Sequence, residues 1–133
     1  PSGVQGLCPD GWHLPSNNEL TDLENNLTCG DGGDEGSALA GNASLWTNGA
    51  LENDDDFGCS GFNLLPAGEV IYDIYSTYTY YYYYLGQRIQ LWSTTDDSSF
   101  PCYGNVSYDS TDFRINCTGN KDIYWESVRC LRD

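Results

Sequence analysis

The sequence contains no methionine, a single histidine and only five lysine and arginine residues among its 133. Phosphate groups are bound mainly by lysine and arginine, so this scarcity excludes a nucleic-acid-binding protein that works through basic patches. The same scarcity disfavours docking to an anionic membrane surface. No apolar run approaches the ~20 residues that a membrane-spanning helix requires. We therefore expect no nucleic-acid partner and no membrane insertion by this segment.

Acidic residues dominate instead, because 20 Asp and Glu give the chain a formal net charge of −15. Hydrophobic residues make up 39% and aromatic residues 14% of the chain, which argues against disorder. At ~100–200 residues per domain, the length predicts one domain spanning residues 1–133. The chain opens with Pro1 and shows no signal peptide, so we expect it to be the globular part of a longer protein.

The cysteines form no CxxC pair, and His13 is not close to any pair of them, which disfavours a structural zinc site. An even number of cysteines in a small acidic chain predicts three disulfides and an oxidising compartment. The count alone leaves the pairing open. The six residues are Cys8, Cys29, Cys59, Cys102, Cys117 and Cys130.

Four Asn-x-Ser/Thr sequons agree with an extracellular or cell-surface location. They begin at Asn26, Asn42, Asn105 and Asn116. If the source glycosylates asparagine, we expect modification at exposed sites such as Asn42 and Asn105 rather than at Asn116, which adjoins a cysteine. The alternative is that these are plain Asn-rich loops.

The first third of the chain predicts one helix and a long loop. Ser16 and Glu19 form a capping-box pattern. One apolar face follows, made of Leu20, Leu23 and Leu27, and the helix is expected to end near Thr28. Residues 30–61 are rich in Gly, Asp and Asn and predict an ordered loop with a short helical turn at Ser37–Ala40. A bridge between Cys29 and Cys59 would pin this loop.

The remainder predicts antiparallel strands, because it is rich in Tyr, Ile, Val and Thr with Gly and Asp clusters between the runs. The expected strands are Glu69–Tyr75, Tyr78–Leu85, Arg88–Ser93, Asn105–Tyr108, Phe113–Cys117 and Ile123–Leu131. One helix, a loop region and then strands indicate an α+β domain.

Four motifs in order resemble one known family. They are CPDGWHLPS at Cys8–Ser16, FNLLPAG at Phe62–Gly68, LWSTT at Leu91–Thr95 and SVRCLRD at Ser127–Asp133. Together they are similar to the Fibrobacter succinogenes major paralogous domain. The resemblance implies a C-type-lectin-like fold, related to formylglycine-generating-enzyme-like domains and to variable proteins of diversity-generating retroelements. It also implies a secreted or surface protein, in some members attached to pilin-like or lipoprotein sequences.

The resemblance further implies that Cys8 pairs with Cys130, which would staple the two ends of the domain. Proximity in the chain then pairs Cys29 with Cys59 and Cys102 with Cys117. These last two pairs are not hallmarks of the family. The tyrosine run at residues 78–84 is unusual for the family too, and both features indicate a specialised surface.

No catalytic constellation is visible. His13 lies inside a motif of the resemblance, where a hydrogen-bonded structural role is expected. A catalytic cysteine needs a free, activated thiol, and all six are expected to be paired. The reactive cysteines of formylglycine-generating enzymes have no matching motif here. No spacing singles out two carboxylates for glycoside hydrolysis, so we predict that the chain is not an enzyme.

The acidic loop residues are candidate calcium ligands, because Ca²⁺ takes oxygen ligands from carboxylates and carbonyls in flexible loops. The strongest run is Asp54, Asp55 and Asp56, and the wider set adds Asp31, Asp34, Glu35, Glu52 and Asn53. No EF-hand pattern is present, and the calcium motifs of sugar-binding lectins are missing. A solvated acidic surface and adaptation to high salt are the alternatives.

Tyrosines of the C-terminal half are the candidate contact residues, because tyrosine supplies rigid contact area and a hydroxyl. The set is Tyr80, Tyr82, Tyr84, Tyr103, Tyr108 and Tyr124. Strand alternation places Tyr80, Tyr82 and Tyr84 on one face and Tyr81 and Tyr83 on the other, with one of the two sets in the core. The alternative is a tyrosine-rich sheet that packs on its own loops.

Three functions follow from these patterns. The first is an extracellular binding or adhesion module with a glycan or protein ligand. The second is the exposed head of a pilin-like filament subunit, whose partners are neighbouring subunits. The third is a receptor-binding protein diversified by a retroelement.

Overall fold

The computed structural model describes residues 7–30, 32–97 and 100–133, with only the backbone described for Asp96 and Asp97. Pro1 and Asp31, named above, lie outside the described residues. The fold is α+β, as expected. Its elements are β1 (Trp12–His13), α1 (Asn17–Asn25), α2 (Glu35–Leu39), a 3₁₀ turn (Ala43–Leu45), β2 (Glu69–Tyr72), β3 (Tyr80–Tyr83), β4 (Arg88–Asp97), β5 (Phe100–Ser107), β6 (Arg114–Cys117), β7 (Tyr124–Trp125) and β8 (Leu131–Arg132).

Three antiparallel sheets organise the described strands. The central sheet has the order β4-β5-β6, a second has the order β3-β2-β7, and β1 pairs with β8. Parallel bridges join Gly68 to Ile89 and Leu91 to Ser127. The first brings the start of β2, and the second the segment after β7, alongside β4. The space between the two three-stranded sheets is where the candidate site forms.

Helix α1 begins with the predicted capping box. The Ser16 hydroxyl accepts from the Glu19 backbone N–H at 3.3 Å, and the Glu19 carboxylate accepts from the Ser16 N–H at 2.8 Å. Leu20 is buried on the expected apolar face. The helix ends at Asn25 rather than near Thr28, because Asn26 caps it and its side-chain amide donates to the Asp22 carbonyl at 2.7 Å.

The long loop contributes much of the core. The predicted turn is α2, whose Leu39 is fully buried, and Trp46 and Leu51 from the same loop are buried as well. The core cluster consists of Leu20, Leu39, Ala40, Trp46, Leu51, Leu64, Ile89, Leu91, Val106 and Phe113. The loop is therefore a packed layer against β4 and β5.

All six cysteines form disulfides. The pairs are Cys8–Cys130, Cys29–Cys59 and Cys102–Cys117, so the expected pairing is confirmed. Cys102 and Cys117 lie directly opposite each other in β5 and β6. Three disulfides are typical of proteins that fold outside the reducing cytosol.

All six predicted strands differ from the observed ones in their bounds: β2 is shorter, β4 is longer, β5 begins at Phe100 rather than Asn105, and β6 begins one residue later. The two remaining strands differ more. The strand expected at Tyr78–Leu85 is limited to β3, because Tyr78 and Tyr84 adopt positive φ angles of 51° and 57°, which interrupt an extended chain. The strand expected at Ile123–Leu131 is two separate strands, β7 and β8, in different sheets. None of the described helices has the length and apolar character to cross a membrane.

Candidate functional site

A cleft of about 300 Å³ opens between the β3-β2-β7 sheet and the outer face of β4 and β5. We call it the aromatic cleft. Its lining residues are Glu69, Ile71, Tyr84, Arg88, Gln90, Trp92, Tyr103, Thr118, Gly119, Tyr124 and Glu126. Its volume is at the lower end of the range for small-molecule sites.

The floor of the cleft is a connected polar group. Arg88 donates from Nη2 to Glu69 Oε1 at 2.6 Å, and Glu69 is only 6% exposed. With its amide nitrogen facing the carboxyls, Gln90 donates to Glu69 Oε2 at 2.8 Å and to Glu126 Oε2 at 3.2 Å. Glu69 is thus held by a cation and an amide, as a buried carboxylate requires.

Glu126 stands beside Glu69, because the Gln90 amide nitrogen lies 2.8 Å from Glu69 Oε2 and 3.2 Å from Glu126 Oε2. Burial, and then the adjacent charge of Glu69, raise the pKa of Glu126 to about 8. Near neutral pH Glu126 is therefore largely protonated.

Aromatic rings form the walls. The Arg88 guanidinium lies 3.6 Å from the centre of the Tyr84 ring, which is a cation–π contact. Trp92 and Tyr103 meet edge to face with ring centres 6.3 Å apart. Burial raises the pKa of Tyr103. Tyr124 pairs with Ile71 across the β2–β7 ladder, so it projects onto the same side.

Gly68 determines the position of β2, which carries Glu69 into the cleft. Its φ is +70°, and an added Cβ would lie 2.2 Å from the Tyr83 carbonyl oxygen. Only glycine allows the chain to pass this close. The approach holds the start of β2, and with it Glu69, against the end of β3.

The six predicted contact tyrosines are divided among three places. Tyr84, Tyr103 and Tyr124 line the aromatic cleft. The pairing of Tyr80 with Tyr72 and of Tyr82 with Val70 puts Tyr80 and Tyr82 on the opposite face of β2 and β3. Tyr108 instead packs against the hydrophobic core.

Two expectations for the tyrosine run are therefore wrong. Tyr84 does not share a face with Tyr80 and Tyr82, because its positive φ takes it out of the strand. Neither alternating set joins the core, because residues 80–84 are all between 39% and 79% exposed. The face opposite the cleft is a small aromatic platform, with Tyr80 4.7 Å from Tyr72 and 5.5 Å from Trp125 between ring centres.

Sequence reasoning missed the polar floor, although one signal was present. Ile89 and Leu91 are core residues, so strand alternation puts Arg88, Gln90 and Trp92 together on the other face. Glu69 and Glu126 lie at the cleft floor because β2 pairs with β7. These two strands are far apart in the sequence, so no local pattern of residues predicts their pairing.

The acidic candidates come together only in part. Carboxylate oxygens of Asp34, Asp54 and Asp56 lie within 4.8 Å of one another, whereas Asp55 is not in the group. Asp55 is exposed, and Asp31 lies outside the described residues. Asp54 and Asp56 from the expected run therefore form a cluster with Asp34, which lies near the start of the loop.

The sequons differ in accessibility. Asn26 and Asn42 are exposed. Asn105 was expected to be exposed but is half-buried, because it lies in the central strand β5 between Gln90 and Arg114. Asn116 is half-buried in β6.

His13 links three parts of the chain. Its Nε2 lies 2.8 Å from Glu19 Oε1 and its Nδ1 lies 2.6 Å from Asp133 Oδ1. Hydrogen bonds to Glu19 and then Asp133 raise its pKa. These contacts match the structural role expected for it.

The chain belongs to the Fibrobacter succinogenes major domain family, whose family model matches residues 2–132. No match was found among curated proteins or among solved structures. The C-type-lectin-like relationship stays an expectation from the resemblance.

Proposed function

We propose that this chain is a non-enzymatic extracellular binding module that contacts a glycan through the aromatic cleft. The observation that carries the proposal is the combination of aromatic walls with a polar floor in one cavity. A sugar ring presents C–H faces, which pack on aromatic rings, and hydroxyls, which bond to carboxyl, amide and guanidinium groups. Tyr84, Tyr103 and Tyr124 supply the first kind of contact, and Arg88 and Gln90 the second.

The geometry of the carboxyl pair argues against hydrolysis. Glu69 is only 6% exposed and its carboxylate is held by Arg88 at 2.6 Å and by Gln90 at 2.8 Å, whereas the two carboxyl groups of a glycosidase flank the bond that they cleave. Every cysteine is in a disulfide, so no thiol is free to act as a nucleophile. Binding without turnover therefore fits the cleft better.

An extracellular location agrees with the covalent chemistry of the chain. Three disulfides persist in oxidising compartments, and the exposed sequons at Asn26 and Asn42 suit a secreted glycoprotein.

A glycan array probed with the wild-type protein tests the proposal. We expect selective signals that are lost in Tyr124→Ala, which removes a wall of the cleft, and retained in Tyr82→Ala. The second variant is a matched control, because Tyr82 is a β-strand tyrosine on the opposite face. Silence of the wild type on the array, or equal loss in both variants, would contradict glycan binding in the cleft.

A subunit contact in a surface filament is a second candidate, and β3 supports it. This strand lies at the edge of its sheet, and residues 74–87 include no charged residue. Natural edge strands are usually protected by charges, proline or bulges. Under this candidate, sedimentation at rising concentration would detect association that Tyr82→Lys abolishes while array binding persists.

A further inference from the structure

The charges in the aromatic cleft do not balance. Glu69 and Glu126 both face it, and among its described lining residues Arg88 is the one cation. The charge of Arg88 is already paired with Glu69, to which Nη2 donates at 2.6 Å, and its guanidinium stacks on Tyr84 at 3.6 Å. Its buried Nε has no partner in the described part of the chain and stays available to a sugar hydroxyl. One cation cannot neutralise two carboxylates in the same cavity. The second carboxyl group must therefore be neutralised by a proton or by a cationic ligand.

We infer that the aromatic cleft binds a primary ammonium group carried on a sugar ring, with the Glu126 carboxylate as its counter-ion. This inference rests on the proposed function and names the ligand class of that site. It leaves Glu69 bound to Arg88, so the second carboxyl is the one that the ligand neutralises.

The walls suit an organic cation as well as a sugar ring. Trp92, Tyr103 and Tyr124 line the same cavity as Glu126, and a cation over an aromatic face is attracted by the ring quadrupole. An ammonium group has three N–H donors and no acceptor. It can therefore donate to Glu126 while the C–H face of its sugar packs on a ring. A neutral sugar satisfies the rings and hydroxyl contacts but leaves Glu126 without a cation.

Proton release accompanies binding in this arrangement. The free protein holds a proton on Glu126 near neutral pH, and an adjacent ammonium group favours the carboxylate and expels that proton. The other charged or titratable groups that face Glu126 are Glu69 from β2, Arg88 from β4, Tyr103 from β5, Tyr124 from β7 and Tyr84 at the end of β3.

Isothermal titration calorimetry with glucosamine, N-acetylglucosamine and glucose tests the inference. We expect glucosamine to bind at least about tenfold more tightly than the two neutral sugars, because only it carries the cation. Its affinity should rise about tenfold per pH unit between about pH 5.5 and 7, with about one proton released per sugar. Titrations in two buffers of different ionisation enthalpy measure that proton.

Glu126→Gln keeps the size and hydrogen-bonding capacity of the side chain but removes the charge. We expect this variant to bind all three sugars with similar affinity and without proton release. Asp55→Asn is the matched control, because it removes one exposed carboxylate elsewhere and should keep the glucosamine preference. Circular dichroism checks that both variants are folded.

The outcomes separate this inference from the proposed function. Equal binding of the three sugars by the wild type overturns the ammonium site and leaves glycan binding intact. No binding of any sugar overturns both. A glucosamine preference that survives in Glu126→Gln, or n-butylamine binding as tightly as glucosamine, also overturns the inference, because the counter-ion or the sugar ring would then be irrelevant.

Discussion

Two regions of this protein contrast in composition and in burial. The described part of the acidic loop, residues 30–61, has little regular structure beyond α2 and the 3₁₀ turn, yet Trp46 and Leu51, which lie outside both, are buried. Strand β3 is regular and made only of tyrosine, yet all four of its residues are exposed. Regular secondary structure and burial are thus decoupled here. The loop provides stability through packing and a disulfide, and the tyrosine strand provides surface.

Replacement of a buried leucine in the acidic loop tests this contrast most strongly. Leu51→Ala removes a fully buried side chain and should lower the free energy of unfolding by about 2–5 kcal/mol. Tyr82→Ala, at a position 79% exposed, should change it by under about 0.5 kcal/mol. Urea unfolding of the two variants measures both values. Similar losses would show that the exposed strand also carries stability.

Removal of the loop disulfide is expected to have the next largest effect. Cys29 and Cys59 close a separation of 30 residues, and the double variant Cys29→Ser/Cys59→Ser should lose ~3.6 kcal/mol through a less restricted unfolded chain. The matched control is Cys102→Ser/Cys117→Ser, which opens a separation of 15 and should lose slightly less. Thermal unfolding compares them. An unchanged melting temperature in the loop variant would mean that packing alone holds the loop.

Local patterns predicted much of this fold. The capping box gave the start of α1, and the family resemblance gave the Cys8–Cys130 disulfide. The burial of the acidic loop could not be predicted from the sequence, because its few apolar residues are spaced irregularly among Gly, Asp and Asn. The end of β3 could not be predicted from the sequence either, since the positive φ that ends it at Tyr84 is atypical of tyrosine.

The candidate site was harder to predict than the fold. Three of its tyrosines were identified from composition, but the polar floor joins Glu69 of β2, Arg88 of β4 and Glu126 from the segment after β7. Their proximity depends on the β2–β7 ladder and on the bridge between Gly68 and Ile89. Such long-range pairings leave no trace in the local spacing of residues.

The pH dependence of stability should distinguish the cleft from the acidic loop. The pKa of Glu126 is raised to about 8, so folding binds a proton that the unfolded chain releases at a lower pH. This stabilisation is fully present below the ordinary glutamate pKa and is lost as pH rises towards 8. We expect the free energy of unfolding to fall by about 2 kcal/mol across this range, after allowance for the partial exposure of Glu126. The melting temperature should fall with it.

Glu126→Gln should flatten that fall, whereas Asp55→Asn should leave it unchanged. His13, whose pKa is also raised, contributes in the same direction, so the comparison is between the slopes of wild type and variant. Equal slopes for wild type and Glu126→Gln would show that the carboxyl pair does not hold the extra proton.

Salt should act on the acidic loop and produce the smallest effect. Asp34, Asp54 and Asp56 place carboxylates within 4.8 Å of one another, and such like charges repel at low ionic strength. Asp54→Asn is expected to raise stability by about 0.5 kcal/mol at low salt and to reduce the stabilisation that NaCl gives the wild type. Asp55→Asn, outside the cluster, should do less, and thermal unfolding at several NaCl concentrations measures the difference.

Calcium makes this last experiment more informative. If the cluster is only a repelling surface, CaCl₂ and NaCl at equal ionic strength should stabilise the wild type equally, because both act by screening. A gain specific to Ca²⁺ that chelation reverses and Asp54→Asn abolishes would instead require coordination by these oxygens. The acidic loop would then be a ligand-binding region in its own right, and the division between a stabilising loop and a contacting tyrosine half would no longer hold.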